Sequence, residues 1–146
     1  MKVFTIGYSK KTAQQFFTLL KQQRPSLVRL VDVRLKNTST LAGFTKKNNF
    51  PFFLEKICNI EYVHRLDLAP DRSMMDHPTT NPLSYEQYKE QFFKLLAERQ
   101  IETTVPRELI DGACLLCSEP SANDCHRKMV TDYLQEKWGD LQVIHL

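Results

Sequence analysis

The sequence predicts an α/β domain of three layers, a Rossmann-like arrangement with a mainly parallel central sheet. Two observations carry this. Short apolar runs rich in Val, Ile, Leu and Phe alternate with longer amphipathic runs, and strands apolar along their whole length belong to sheets covered on both faces. No repeat, low-complexity tract or linker interrupts the 146 residues. The chain therefore reads as one domain over 1–146, large enough to hold a core without disulfide or metal staples.

Each element follows from local chemistry. "KVFTIGYS" has β-branched and aromatic residues closing on a glycine, a buried strand. "TAQQFFTLLKQQR" places Thr12 and Gln15 in capping-box spacing and Phe16, Leu19 and Leu20 on one helical face. "SLVRLVDVR" is a second strand ending in Asp32 and Arg34. "LKNTSTLAGFTKKNNF" is polar and irregular, and "PFFLEKICN" is a helix with Pro51 in its first turn. "IEYVHRL" is a third strand, and "APDRSMMDHPTTNP", with three prolines and no period, is a long loop. Ser84 and Gln87 form a second capping box opening the helix "YEQYKEQFFKLLAERQIE". "GACLLCS" is the fourth strand. "DCHRKMVTDYLQEKWG" is a helix with Asp124 as N-cap and Gly139 as its stop, and "LQVIHL" closes the chain as a strand.

No stretch approaches the ~18 consecutive apolar residues of a membrane span, and no secretory leader is recognisable. A soluble cytoplasmic protein is expected, and with it reduced thiols at Cys58, Cys114, Cys117 and Cys125. The net charge of +3 conceals a division: residues 1–65 carry 12 Lys/Arg against 3 Asp/Glu, residues 66–146 carry 8 against 14. That asymmetry fits an anionic partner near the first half, or two halves that attract each other.

In parallel sheets ligands bind beyond the carboxyl ends of the strands. Gly7–Ser9, Asp32–Arg34, His64–Asp67 and Cys117–Glu119 all follow strand ends, so one sheet edge should collect them. Asp32 and Arg34, two apart on a strand, share a face and can pair with each other or hold a ligand. The planar fork of Arg34 suits phosphate or carboxylate.

"CSEPSANDCHR" (117–127) admits three readings. As zinc evidence the C-x-x-C of Cys114 and Cys117 is weak, because alternate side chains of a strand face opposite ways. Cys117, Cys125 and His126 form a better donor set, though no metal is assigned. As thiol chemistry, Cys125 lies at a helix start beside His126 and Arg127, and Cys117 at the strand end before it. "LVDVR" resembles a strand of rhodanese-like domains, but Arg127 stands ten residues after Cys117, not at the spacing of a C-x5-R phosphatase loop. The third reading is an ordinary turn shaped by Pro120 and capped by Asp124. Neither a glycine-rich phosphate loop nor a dinucleotide fingerprint is present.

"TIGYS", "LVDVR", "LKNTSTLAGF", "ACLLCSE", "DCHRKMVTDYL" and the closing "VIHL", in that order, resemble the family of domains of unknown function DUF488, over essentially the whole chain. The resemblance implies a single DUF488-like α/β domain without an established reaction. By position it marks Ser9, Asp32, Arg34, Cys117, Glu119, Cys125, His126 and Arg127. "LKNTSTLAGF" replaces the proline and serine-arginine of one branch, so this chain resembles another.

The expected function is binding of a small anionic or nucleotide-like ligand at the carboxyl edge, with enzymatic turnover left open. Ser9, Arg34, Arg127, Cys117 and Cys125 are the candidate ligand-binding residues, and Asp32, Glu119 and His126 the candidate acid–base groups. A thiol-dependent or metal-binding role for Cys117 and Cys125 is the alternative. A nucleic-acid or protein partner ranks below both, since no basic-aromatic strip accompanies the charge. No cofactor is indicated, and the sequence favours no oligomeric state.

Overall fold

The computed structural model describes residues 1–38, 42–75, 83–119, 121–123 and 125–146. Strands β1 (Lys2–Gly7), β2 (Arg29–Asp32), β3 (Glu61–His64), β4 (Ala113–Cys117) and β5 (Gln142–His145) form one sheet in the order β3-β2-β4-β1-β5. Every neighbouring pair is parallel. The sheet is thus wholly parallel where a mainly parallel one is expected, and all five strands present their carboxyl ends at one edge.

Strand alternation divides the core in two. Phe4, Ile6, Leu30, Cys114 and Leu116 meet Phe16, Leu20, Phe50 and Leu54 on one face, from α1 (Ala13–Gln22) and from α2 (Phe50–Phe53) with the π-helical turn that continues it to Cys58. Val3, Val31, Ala113 and Leu115 meet Phe92, Leu96, Met129, Val130 and Leu134 on the other. A short α3 (Arg72–Met75) precedes the two long helices of that side, α4 (Tyr85–Glu98) and α7 (His126–Trp138), with α5 (Ile101–Thr104) and α6 (Arg107–Ile110) between them. Among the described residues no helix is long and apolar enough to cross a membrane.

Both capping boxes form as the spacing requires: Thr12 and Ser84 accept from the amides of Gln15 and Gln87, whose side chains bond back. Gly139 ends α7 in the left-handed conformation at φ 78°. Three local expectations change. Asp124 lies outside the described residues, as does Pro120, and Cys125 is the N-cap of α7. The long helix stops at Glu98, because Gln100 turns left-handed (φ 52°) and α5 starts anew. Within "APDRSMMDHPTTNP" the structure has α3, seeded where Asp71 Oδ1 accepts from the Met74 amide at 3.0 Å and from Ser73 Oγ at 2.6 Å. Residues 76–82 of that stretch lie outside the described residues.

Candidate functional site

The strand ends interlock through their backbones. Tyr8 and Ser9 donate to the carbonyls of Cys117 and Ser118, Val33 to Leu116, and Arg65 to Asp32. Gly7 is required by this crossing: a Cβ there would overlap the Glu119 carbonyl and press on Arg127 Nη1. Ser9 therefore meets the site by its amide, 3.0 Å from the Ser118 carbonyl.

Asp32 and Arg34 pair with each other. Asp32 is fully buried, and its carboxylate accepts from Arg34 Nε (2.9 Å) and Nη2 (2.7 Å) and from the Tyr62 hydroxyl (2.8 Å). The rest of the guanidinium donates to Thr45, through Nη1 to Oγ1 at 3.0 Å and Nη2 to the carbonyl at 2.8 Å. Its outer face lies against the Tyr8 ring, 5.3 Å from the centroid. Burial works against the charge of Arg34, but bonding to Asp32 outweighs it and the pKa rises. His64 Nε2 donates to the Arg34 carbonyl at 2.7 Å, and Asn37 bridges His64 Nδ1 and the Tyr62 hydroxyl. Asp67 forms a separate pair with Arg65. The fork of Arg34 is thus engaged by Asp32 and Thr45 rather than open to a ligand.

The second cluster belongs to "CSEPSANDCHR". Alternation along β4 sends Cys114 to the α1 face and Cys117 to the α7 face. There the donor atoms of Cys117, Cys125 and His126 lie within 4.8 Å of one another. His126 Nδ1 is 3.4 Å from Cys117 Sγ, while Nε2 donates to the Val33 carbonyl at 3.0 Å, which orients the ring. The Cys117 thiol is held well below its ordinary range, first by the hydrogen bond from Cys125, then by His126 and the Glu119 amide, against the cost of burial. Cys125 is pushed up in turn, because its proton is held by the Cys117 sulfur and burial disfavours a second thiolate. Burial opposes charge on His126, yet the adjoining Cys117 raises its pKa. Cys114, wholly buried, is pushed up by desolvation.

Arg127 is 1% exposed. Its Nη1 donates to the Glu119 carbonyl at 2.6 Å and faces Cys125 Sγ at 3.5 Å, while the buried Nε has no hydrogen-bond partner among the described residues. Glu119 therefore enters the site through its backbone, with its side chain exposed.

Between the clusters lies a cavity of about 310 Å³, lined by Tyr8, Arg34, Leu35, Lys36, Pro70, Arg72, Ser118 and His126. Asp32, Arg127, Cys117 and Cys125 stand behind its wall. Sequence reasoning missed Tyr62, Thr45 and Arg72. Tyr62 carried a signal, standing two positions from His64 on the same strand face. Thr45 lies in an irregular segment and Arg72 in a presumed loop, where no period points inward.

Fold and site define a parallel α/β domain whose carboxyl edge joins a cation-lined cavity to a buried thiol–imidazole cluster. The chain belongs to the family described as domain of unknown function DUF488, whose model matches residues 12–134. The match runs from the N-cap of α1 into α7 and so takes in both clusters. Neither a curated protein nor a solved structure matches the chain.

Proposed function

We propose that the protein binds a small anionic molecule in the cavity at the carboxyl edge of the sheet, where His126 forms part of the wall. One observation carries the reading: Lys36, Arg72 and Arg34 line the cavity together with His126, and no carboxylate is among the described lining residues. Arg34 is already neutralised by Asp32, so Lys36 and Arg72 are the cations that meet the ligand. The volume sits at the small end of ligand sites, of order 300–1,000 Å³, which suits a compact phosphorylated or carboxylated metabolite. Arg34 holds the floor of the site in place, and Arg127 fixes the Glu119 carbonyl beside Gly7.

The test is thermal-shift screening with inorganic phosphate and a panel of phosphorylated and carboxylated metabolites, followed by calorimetry on the best. Binding should weaken with salt, and Lys36→Ala and Arg72→Ala should each raise Kd at least about tenfold. No shift with any panel member, or unchanged affinity in the Lys36→Ala/Arg72→Ala variant, overturns the proposal.

A further inference from the structure

We infer that Cys117, Cys125 and His126 form a binding site for a single thiophilic metal ion, zinc(II) being the natural probe. His126 also lines the anion cavity, but none of the steps here uses the cavity's ligand.

Three donors from two elements converge: the last residue of β4, the N-cap of α7 and the first residue of α7. Zinc binds thiolate sulfur at about 2.3 Å and imidazole nitrogen at about 2.0–2.1 Å, which sets tetrahedral donors about 3.5–3.8 Å apart. The Cys117–His126 separation of 3.4 Å is already at that spacing, and donors lying up to 4.8 Å apart have to close by no more than about 1 Å onto an ion.

The surroundings match what metal ligands require. His126 gives its Nε2 hydrogen to the Val33 carbonyl, and its Nδ1 faces the Cys117 sulfur, so that loss of the Nδ1 hydrogen to an incoming ion directs the lone pair at the site, the outer-shell arrangement of a ligating histidine. Arg127 Nη1 points at Cys125 Sγ, and the Glu119 amide at Cys117 Sγ. Both contacts favour negative charge on sulfur, on Cys117 as it stands and on Cys125 once an ion displaces its proton. Arg127 is buried and has no carboxylate partner among the described residues, and the Cys125 sulfur lies 3.5 Å from its Nη1.

Burial separates this role from nucleophilic chemistry. Cys117 and Cys125 are 2% and 1% exposed, and neither lines the cavity. A nucleophile has to reach its substrate, whereas an ion needs only its ligands. Three protein ligands from the described residues leave one coordination position of a tetrahedral ion, as in zinc sites that act chemically rather than brace a fold.

The test uses the full chain, stripped with a chelator and kept under a phosphine reductant without oxygen so that the thiols stay reduced. Titration with cobalt(II) should bind one equivalent and develop a thiolate-to-cobalt charge-transfer band with the strong visible bands of a four-coordinate ion; zinc(II) should displace it. Cys117→Ser, Cys125→Ser and His126→Gln should each weaken zinc binding at least about 100-fold. Cys58→Ala and Cys114→Ala should leave the spectrum intact, as should Lys36→Ala/Arg72→Ala, which separates this site from the anion cavity. Circular dichroism identifies any variant that fails to fold, and the remaining ligand variants then decide. A wild-type protein without the charge-transfer band, or a folded Cys125→Ser protein that keeps it at full strength, overturns the inference.

Discussion

Arg34 shows how one residue type serves opposite ends. Its fork suits an anionic ligand, but in the structure the anion it holds is Asp32, two residues away and fully buried. Removing one partner of a buried pair leaves an uncompensated charge, a loss of about 3–5 kcal/mol. Arg34→Ala should therefore lower the urea-unfolding free energy by that order, and Arg34→Lys should restore little of it because an ammonium cannot fill a bidentate site. A loss below about 1 kcal/mol would show that the pair does not hold this edge together.

Tyr62 carries the pH dependence of the same cluster. Burial, then the charge of Asp32, push its phenol up from 10.0 to about 12. A phenol that resists ionisation in the fold contributes stability that is complete below pH 10 and is lost as pH rises toward 12. The unfolding free energy of the wild type should accordingly fall toward that of Tyr62→Phe across this window. Parallel alkaline curves for the two proteins would refute the assignment.

At the scale of elements, the crossing of β1 under the β4–α7 connection is the critical contact. Gly7 lets the Glu119 carbonyl approach, and that carbonyl holds Arg127 at the start of α7. Gly7→Ala should destabilise the fold by at least about 1–3 kcal/mol, the cost of overpacking against backbone, and should disturb Arg127 along with it. A variant as stable as the wild type in urea would mean that the connection moves aside freely. The same elements show where sequence reading works. Thr12–Gln15 and Ser84–Gln87 were legible as helix starts because a capping box is complete within four residues. The break at Gln100 was not, since the apolar period runs on through Ile101, and only the left-handed backbone ends the helix. Aspartate is the better cap by type, so the sequence points to Asp124 as the start of α7, one residue before Cys125, which holds the position without a side-chain cap bond.

Across the whole molecule, the division of charge along the chain becomes a division between layers. The basic first half supplies α1 and α2 on one face of the sheet, and the acidic second half supplies α4 to α7 on the other. Both halves enter the sheet, for β4 lies between β2 and β1. What the sequence by itself determined was the α/β class, the five strands, the two capped helices and the edge at which the polar residues gather. Hydrophobic period, cap chemistry and strand direction are local properties, and they need no knowledge of neighbours. The tertiary structure alone decided which residues meet. The order β3-β2-β4-β1-β5 sets β2 beside β3, which closes Asp32 onto Tyr62, and the 3-10 turn Gly43–Thr45 brings Thr45 onto Arg34. The fold of the connection after β4 turns Cys125 and His126 back on Cys117, while alternation turns Cys114 away. The C-x-x-C spacing is a distance along the chain, whereas the site is a distance through space, and only packing converts one into the other.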